Sequence, residues 1–279
     1  MTKTVLITGA SSGIGRATAL YFQKRGWNVA ATMRSPEQVI SKEAGRANSL
    51  TNLDRLAFLK LDVTDSASIK AAVTEAIEKF GAIDVLVNNA GYGMLGAFET
   101  STPEQIQRQF NTNVFGLMET TRAVLPHFRD RQSGVIVNVA SVGGRVAFPL
   151  YSLYHSTKWA VEGFSESLQH ELLAFNIRIK IIEPGPIKTD FYDRSAERTS
   201  NPDFPEYDAL SDRVLTKLNQ IGTTGASPNV VAKTIYTAST DNSWKLRYPA
   251  DPLAKQLLLA RKLLPDFLFT KLIRQTTNI

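Results

Sequence analysis

The sequence predicts an α/β fold built on a doubly wound parallel sheet. Two observations carry that prediction. Short, mostly apolar runs of strand length alternate with helical stretches of a dozen residues or more, the pattern of buried parallel strands joined by crossover helices. In addition, Thr4-Val5-Leu6-Ile7 runs into a turn with glycines at 9, 13 and 15 and then an amphipathic run from Arg16 to Arg25. That order is strand, tight turn, helix start.

Residues 28–34 read as a second strand that ends in Arg34. Residues 35–54 are polar and irregular, a short helix and a loop. Residues 56–63 form a third strand, with Thr64 or Asp65 capping a helix through Lys79. A fourth strand covers 84–91, and Thr102-Pro103-Glu104 marks the first turn of a helix over 103–129. A fifth strand over 134–141 leads to a helix over 151–175, and a sixth strand covers 178–185. Residues 186–227 break the rhythm with three prolines and the aromatics Phe191, Tyr192, Phe204 and Tyr207. A long insertion beyond a strand's carboxyl end suits a lid over a site. Residues 247–250 form a short last strand, and residues 252–279 a helical extension divided by Pro265. No repeat or linker interrupts the chain, so residues 1–279 are expected to form one domain.

The 279 residues carry a net charge of +6, but the basic side chains are scattered among acidic ones without the clustered footprint of nucleic-acid binding. There are no cysteines, which excludes disulfides, thiolate nucleophiles and cysteine-ligated zinc. No metal site is expected. The first strand starts at Thr4, leaving no room for a signal peptide, and no apolar run reaches the length of a spanning helix. A cytoplasmic location is the corresponding expectation. The tail, with Leu-rich faces and Lys255, Arg261, Lys262, Lys271 and Arg274, is expected to pack over its own domain or a partner subunit. Peripheral contact with a membrane surface is the less favoured alternative.

In doubly wound sheets ligands bind beyond the carboxyl ends of the strands, so the residues there carry the function. The glycine turn has two readings. Its backbone can approach a ligand closely, and the helix start behind it suits a phosphate. Gly9-x-Ser11-x-Gly13 also matches a serine-hydrolase elbow. That chemistry needs a histidine base, and His127, His155 and His170 all fall in or beside predicted helices. The hydrolase reading is therefore disfavoured, and Ser11, Ser12 and Ile14 become neighbours of a phosphate.

A Rossmann-type dinucleotide site places an acid on the ribose about twenty residues past the glycines, or an arginine where a 2′-phosphate is present. Here that place holds Arg34-Ser35 with no acid before Glu37. A guanidinium forks onto phosphate oxygens, so NADP(H) is expected over NAD(H).

Ser141 closes the fifth strand, and Tyr154 and Lys158 follow in the chain's one Tyr-x-x-x-Lys. Four apart, they share a helix face. A free phenol has a pKa of about 10, and a nearby ammonium lowers it.

Together these residues resemble the classical short-chain dehydrogenase/reductase family, with a Rossmann-type fold. The motifs are Thr8-Gly9-x-x-x-Gly13-x-Gly15, Asp62-Val63, Asn88-Asn89-Ala90-Gly91, Asn113-Val114-Phe115-Gly116, Ser141, Tyr154-x-x-x-Lys158 and Pro184-Gly185. The resemblance implies that Tyr154 is the general acid and base, and that Lys158 holds the nicotinamide ribose and lowers the phenol's pKa. Ser141 would orient the substrate oxygen, and Asn113 a water that relays protons. Asp62 and Val63 would meet adenine, Asn89 the ribose, with Ala90 and Gly91 alongside, and Ile187 and Thr189 the carboxamide. A structural alternative stands beside this for Asn88, Asn89 and Asn113, which could simply tie strands and helices together.

Apolar residues expected near the nicotinamide, among them Tyr92, Met94, Leu95, Phe98, Val142, Phe148, Leu150 and Phe191, point to a lipophilic ketone, aldehyde or alcohol. Arg34, the lid and the long tail look most like the hydroxysteroid- and retinol-dehydrogenase branch, with a homo-oligomer expected. A non-catalytic cofactor-binding sensor of the same fold is the alternative, and the presence of Tyr154 and Lys158 disfavours it.

Overall fold

Apolar strands flanked by helices bury both faces of the sheet, and this is how the chain is built. The computed structural model describes residues 2–43, 53–189 and 196–279. Strands β1 (Thr4–Ile7), β2 (Asn28–Met33), β3 (Leu56–Lys60) and β4 (Val85–Asn88) belong to the main sheet. So do β6 (Gly134–Val139), β7 (Ile177–Glu183) and β9 (Arg247–Pro249), in the order β3-β2-β1-β4-β6-β7-β9. Every pairing in it is parallel, with β1 between β2 and β4 in registers such as Leu6↔Ala30 and Leu6↔Leu86.

Strand periodicity of two sends alternate side chains to opposite layers. Val5 and Ile7 pack with Val29, Val85 and Val87 into one core that also takes Phe22 of helix α1 (Gly13–Gln23) and Val231 and Ile235 of α8 (Pro228–Thr240). Leu6, Ala30, Leu86 and Ile136 face the other core, against α3 (Ser66–Phe80), α5 (Gly116–Asp130) and α6 (Ser152–Leu172). Helix α2 (Pro36–Glu43) follows β2. Asp65 caps α3 by accepting the N–H groups of Ala67 and Ser68, at the start expected from the sequence.

The helix expected over 103–129 is divided. Helix α4 (Pro103–Phe110), started by a Thr102–Gln105 capping box, is followed by a π-turn over Asn111–Phe115 and then α5. The widened turn carries Asn113 inward, where it is 1% exposed, and propensity alone does not mark such a turn.

The region expected to be an irregular lid is more regular than its sequence suggests. Strand β8 (Ala196–Arg198) pairs in parallel with β5 (Gly93–Leu95) in a separate two-stranded sheet, and α7 (Asp208–Thr223) follows. Leu95 and the α7 residues Val214, Leu215 and Leu218 share a core with Tyr151, which supplies the order that local pattern lacks. Helices α9 (Pro252–Leu263) and α10 (Asp266–Thr277) fold back over the chain's own body, where Phe269 and Ile273 pack on Val146 and Phe148. No helix among the described residues is long and apolar enough to cross a membrane.

Candidate active site

The carboxyl ends of the strands open into a cavity of about 1170 Å³. At one end is the turn after β1, with Gly9 and Gly13 at φ +66° and +53°, a region glycine enters without strain. Close approach also demands glycine here. A Cβ on Gly9 would stand 2.9 Å from Ala90 Cα, and one on Gly15 would stand 2.3 Å from the Gly9 carbonyl oxygen. The turn is braced on β4. Thr8 Oγ1 accepts the N–H groups of Asn89 and Ala90, and Asn89 Nδ2 donates to the carbonyl oxygens of Thr8 (2.9 Å) and Gly9 (3.1 Å). Ser12 caps α1 without a side-chain hydrogen bond, and the helix carries no acid in its first turn, an arrangement suited to an anion.

Further along the cavity, Ser141 Oγ accepts the Gly143 N–H at 3.0 Å, which leaves its own proton to point elsewhere. Lys158 is buried and donates to the Val139 carbonyl at 2.9 Å. Burial pulls its pKa down to about 8, with Glu162 acting in the opposite sense. Its Nζ lies 5.8 Å from the centroid of the Tyr154 ring. Asn113 is engaged at both ends of its amide. Oδ1 accepts the Tyr92 N–H at 3.0 Å, and Nδ2 donates to the Tyr92 carbonyl and to Thr157 Oγ1.

The structure brings most of the sequence-selected residues to this cavity. Gly9, Ser11, Ser12, Gly13 and Ile14 line one end with Arg34, Asp62 and Val63, followed by Asn89, Ala90 and Gly91. Ser141, Phe148, Tyr154 and Lys158 line the other part, with Pro184, Gly185, Ile187 and Thr189 beside them. Several selected residues fall elsewhere, Leu95, Phe98 and Leu150 among them. Gly15 is consumed by packing against Gly9, and Ser35 stands beside Arg34 without lining the cavity. Met94, expected to meet substrate, is 1% exposed and does not line the cavity. Its neighbour Leu95 is equally buried and stays off the cavity lining, packed with Tyr151 and the α7 residues. Phe191 lies outside the described residues. Asn113 does not line the cavity either, and its side chain does the tying that the structural alternative foresaw.

Other lining residues were not singled out from the sequence: Arg108, Glu197, His155 and Leu218, and from the tail Leu253, Leu257 and Thr276. Arg108 pairs with Glu197 at 2.8 Å across α4 and β8. Their contact depends on the second sheet, which no local pattern announced. The tail residues had an amphipathic signal but nothing in the sequence gave their direction. Asp251 does so in the structure: it caps α9 through the Ala254 N–H and accepts the Gly185 N–H at 2.7 Å.

This arrangement puts a phenol with a buried lysine, a hydroxyl and a glycine-bordered helix start on one cavity surface. Among the described residues no group of acids and histidines has the makings of a metal site.

Comparison with known proteins agrees with this geometry. The family model described as short chain dehydrogenase matches residues 3–200. The chain is 35% identical to a 3-ketodihydrosphingosine reductase of Bacteroides thetaiotaomicron over 266 residues, covering 94% of this chain and 93% of the relative. It is 38% identical to retinol dehydrogenase 8 of Bos taurus over 244 residues, 84% of this chain and 76% of that one. The solved structure of ElxO with NADP bound superposes with a TM-score of 0.75 at 29% identity, over 92% of this chain and 100% of that one.

Proposed function

The chain belongs to the short-chain dehydrogenase family, and from that premise we propose that it is an NADP(H)-dependent oxidoreductase interconverting a lipophilic ketone or aldehyde and its alcohol. One observation carries the proposal: Ser141, Tyr154 and Lys158 line the same cavity as the glycine turn and Arg34. The residues fit a dinucleotide. The backbone of the turn is bare where a Cβ would collide, and a helix start without a side-chain cap bond and an exposed arginine border it. NADP in the ElxO structure is in keeping with the arginine. When bound, the cofactor would supply or accept the hydride.

The chain's own side chains would do the rest. Tyr154 gives its proton to the carbonyl oxygen in reduction and takes it from the alcohol in oxidation. Lys158, as an ammonium, stabilises the phenolate that reduction leaves behind. Ser141, whose oxygen already accepts from Gly143, directs its own proton to the substrate oxygen. Phe148, Tyr151, Leu218, Leu253 and Leu257 give the cavity an apolar wall that excludes water and suits a lipophilic substrate. Two relatives named for 3-ketodihydrosphingosine and for retinol lend that substrate class support. A cytoplasmic homo-oligomer acting on a free small molecule completes the proposal.

The test is NADPH consumption over a panel of long-chain ketones, retinoids, steroids and aromatic ketones. Tyr154→Phe should bind NADPH as the wild type does, seen by fluorescence, and turn nothing over. Turnover by that variant would remove Tyr154 from its role. A wild type that binds NADPH and reduces no carbonyl would favour the sensor alternative.

A further inference from the structure

Behind Lys158, off the cavity wall, two carboxylates are sealed into the core. Glu162 is 5% exposed and Glu183 1%. Glu162 stands one helical turn beyond Lys158 on α6, the spacing that stacks side chains on one face. Both residues pack under Gly144, where an added Cβ would lie 2.9 Å from Glu162 Cγ and 3.0 Å from the Lys158 carbonyl oxygen. Glu183 ends β7, directly before the Pro184-Gly185 turn of the cavity.

Four charged groups stand around the pair on the neighbouring elements. Lys158 and Glu166 come from α6. Arg247 of β9 donates through Nε to Glu162 Oε2 at 2.9 Å and through Nη2 to Glu166 Oε2 at 2.6 Å. Arg145, in the turn after Ser141, brings Nη1 to 3.7 Å from Glu183 Oε1. Within the pair, the charge of Glu183 acts on Glu162. Of the four carboxylate oxygens in the pair, Glu162 Oε1 and both oxygens of Glu183 are buried without a hydrogen-bond partner.

A buried carboxylate is costly unless it is paired and hydrogen-bonded, and two close together resist ionising together. The cations do not fully offset this. Arg247 is shared with exposed Glu166, and Arg145 is half exposed and beyond hydrogen-bond reach. Burial first, and the Glu183 charge second, push Glu162 up to about 7, and burial raises Glu183 as well. Both carboxyls are thus pushed toward their neutral forms, and their titrations are linked.

We propose that Glu162 and Glu183 form a buried acid pair, bracketed by Arg145 and Arg247, whose charge sets the protonation of Lys158, making Glu162 a positioning residue for Tyr154. The proposal rests on the Tyr154–Lys158 reading above. When the pair takes up a proton, the negative charge beside Lys158 falls and the buried ammonium loses its support. Tyr154 then loses the cation that stabilises its phenolate. When the pair releases the proton, the ammonium and the phenolate both gain. Alcohol oxidation is the direction that gains from this release.

The experiment reads Lys158 directly and needs no substrate. Full-length protein carrying ¹³Cε-labelled lysine is titrated by NMR, with the Lys158 signal identified by its loss in Lys158→Met. The wild type should show an inflection near 7 from the pair and another near 8 from the lysine. Glu162→Gln should delete the first and lower the second by about one pH unit. Glu183→Gln, which removes the like charge, should move the first inflection down. Arg247→Gln should move it up. If Glu162→Gln does not fold, the opposed shifts in the other two variants decide the matter. Superimposable Lys158 curves in wild type and variants would overturn the proposal, whereas a purely structural role would alter stability and leave them in place. Turnover by Tyr154→Phe would instead sink the functional reading and leave the Lys158 titration to judge the pair.

Discussion

The Nε2 atom of His155 accepts the backbone N–H of Phe148 at 2.9 Å. An accepting Nε2 makes the ring neutral, with its proton on Nδ1 against Gly143, where an added Cβ would stand 2.4 Å away. The ring also stacks on Tyr151 with centroids 5.4 Å apart. His155 thereby holds both ends of the loop between Ser141 and Tyr154, and its accepting nitrogen is not free to serve a nucleophile.

Burial draws the His155 pKa down from 6.5 to about 4. Between those values the unfolded chain binds more protons than the folded one, so stability falls as the pH drops from 6.5 toward 4. His155→Gln preserves the acceptor without titrating. Relative to that variant, the wild type should lose on the order of 3 kcal/mol across this window. Urea denaturation of both proteins at several pH values checks this. A constant difference would show that His155 does not remain neutral for the reason given.

Two glycines on helices should respond oppositely to alanine. Gly163 on α6 is exposed, with nothing within 4 Å of an added Cβ. Gly163→Ala should stabilise by about 0.5–1 kcal/mol through the unfolded chain's lost freedom. Gly15→Ala drives a Cβ into the Gly9 carbonyl and the Asn89 amide, and should cost about 1–3 kcal/mol and weaken NADPH binding. Thermal melts with and without NADPH separate the two. An unchanged Gly15→Ala protein would mean that the turn can yield.

Arg34 is exposed at the end of β2 and lines the cavity. Arg34→Gln should raise the KM for NADPH by about 10- to 100-fold, the worth of a charge-assisted hydrogen bond, while leaving the KM for NADH nearly unchanged. Steady-state kinetics with both cofactors decides. Equal losses with the two would point to a structural role for the arginine.

Lys180 is a buried cation on β7, one strand in from the sheet's edge, and 1% exposed. It donates to Asp241 Oδ1, to the carbonyls of Ser243 and Lys245, and to Tyr248 OH of β9. Lys180→Met leaves those acceptors without their donor and should cost about 3 kcal/mol. In a double-mutant cycle with Asp241→Asn, the two losses should fall short of additive. Strict additivity would show that the two charges do not interact in the fold.

The strands of the main sheet were legible in the sequence, most plainly those with both faces buried. Val5-Leu6-Ile7 and Val135-Ile136-Val137 are apolar runs because each has a layer of helices above and below. The π-turn at Asn113 and the two-stranded sheet of β5 and β8 were not legible. Both are held by partners far along the chain, Thr157 for the first and the Leu95–Thr199 backbone bond for the second. Tertiary packing also buried both Met94 and Leu95 off the cavity lining, which local hydrophobicity could not show.

By itself, the sequence determined the sheet's alternating rhythm, the glycine turn, and the spacing of Tyr154 and Lys158 on one helix face. Those features are local, since backbone sterics and a period of 3.6 act within a few residues. Only the tertiary structure decided what surrounds them. It placed the tail's Leu253 and Leu257 in the cavity wall and locked Asn113 to Tyr92. It also set Glu162 beside Glu183, 21 positions away, in the core behind Lys158. The ionisation of such groups depends on burial and on charges brought from other elements, and those quantities exist only once the chain has folded.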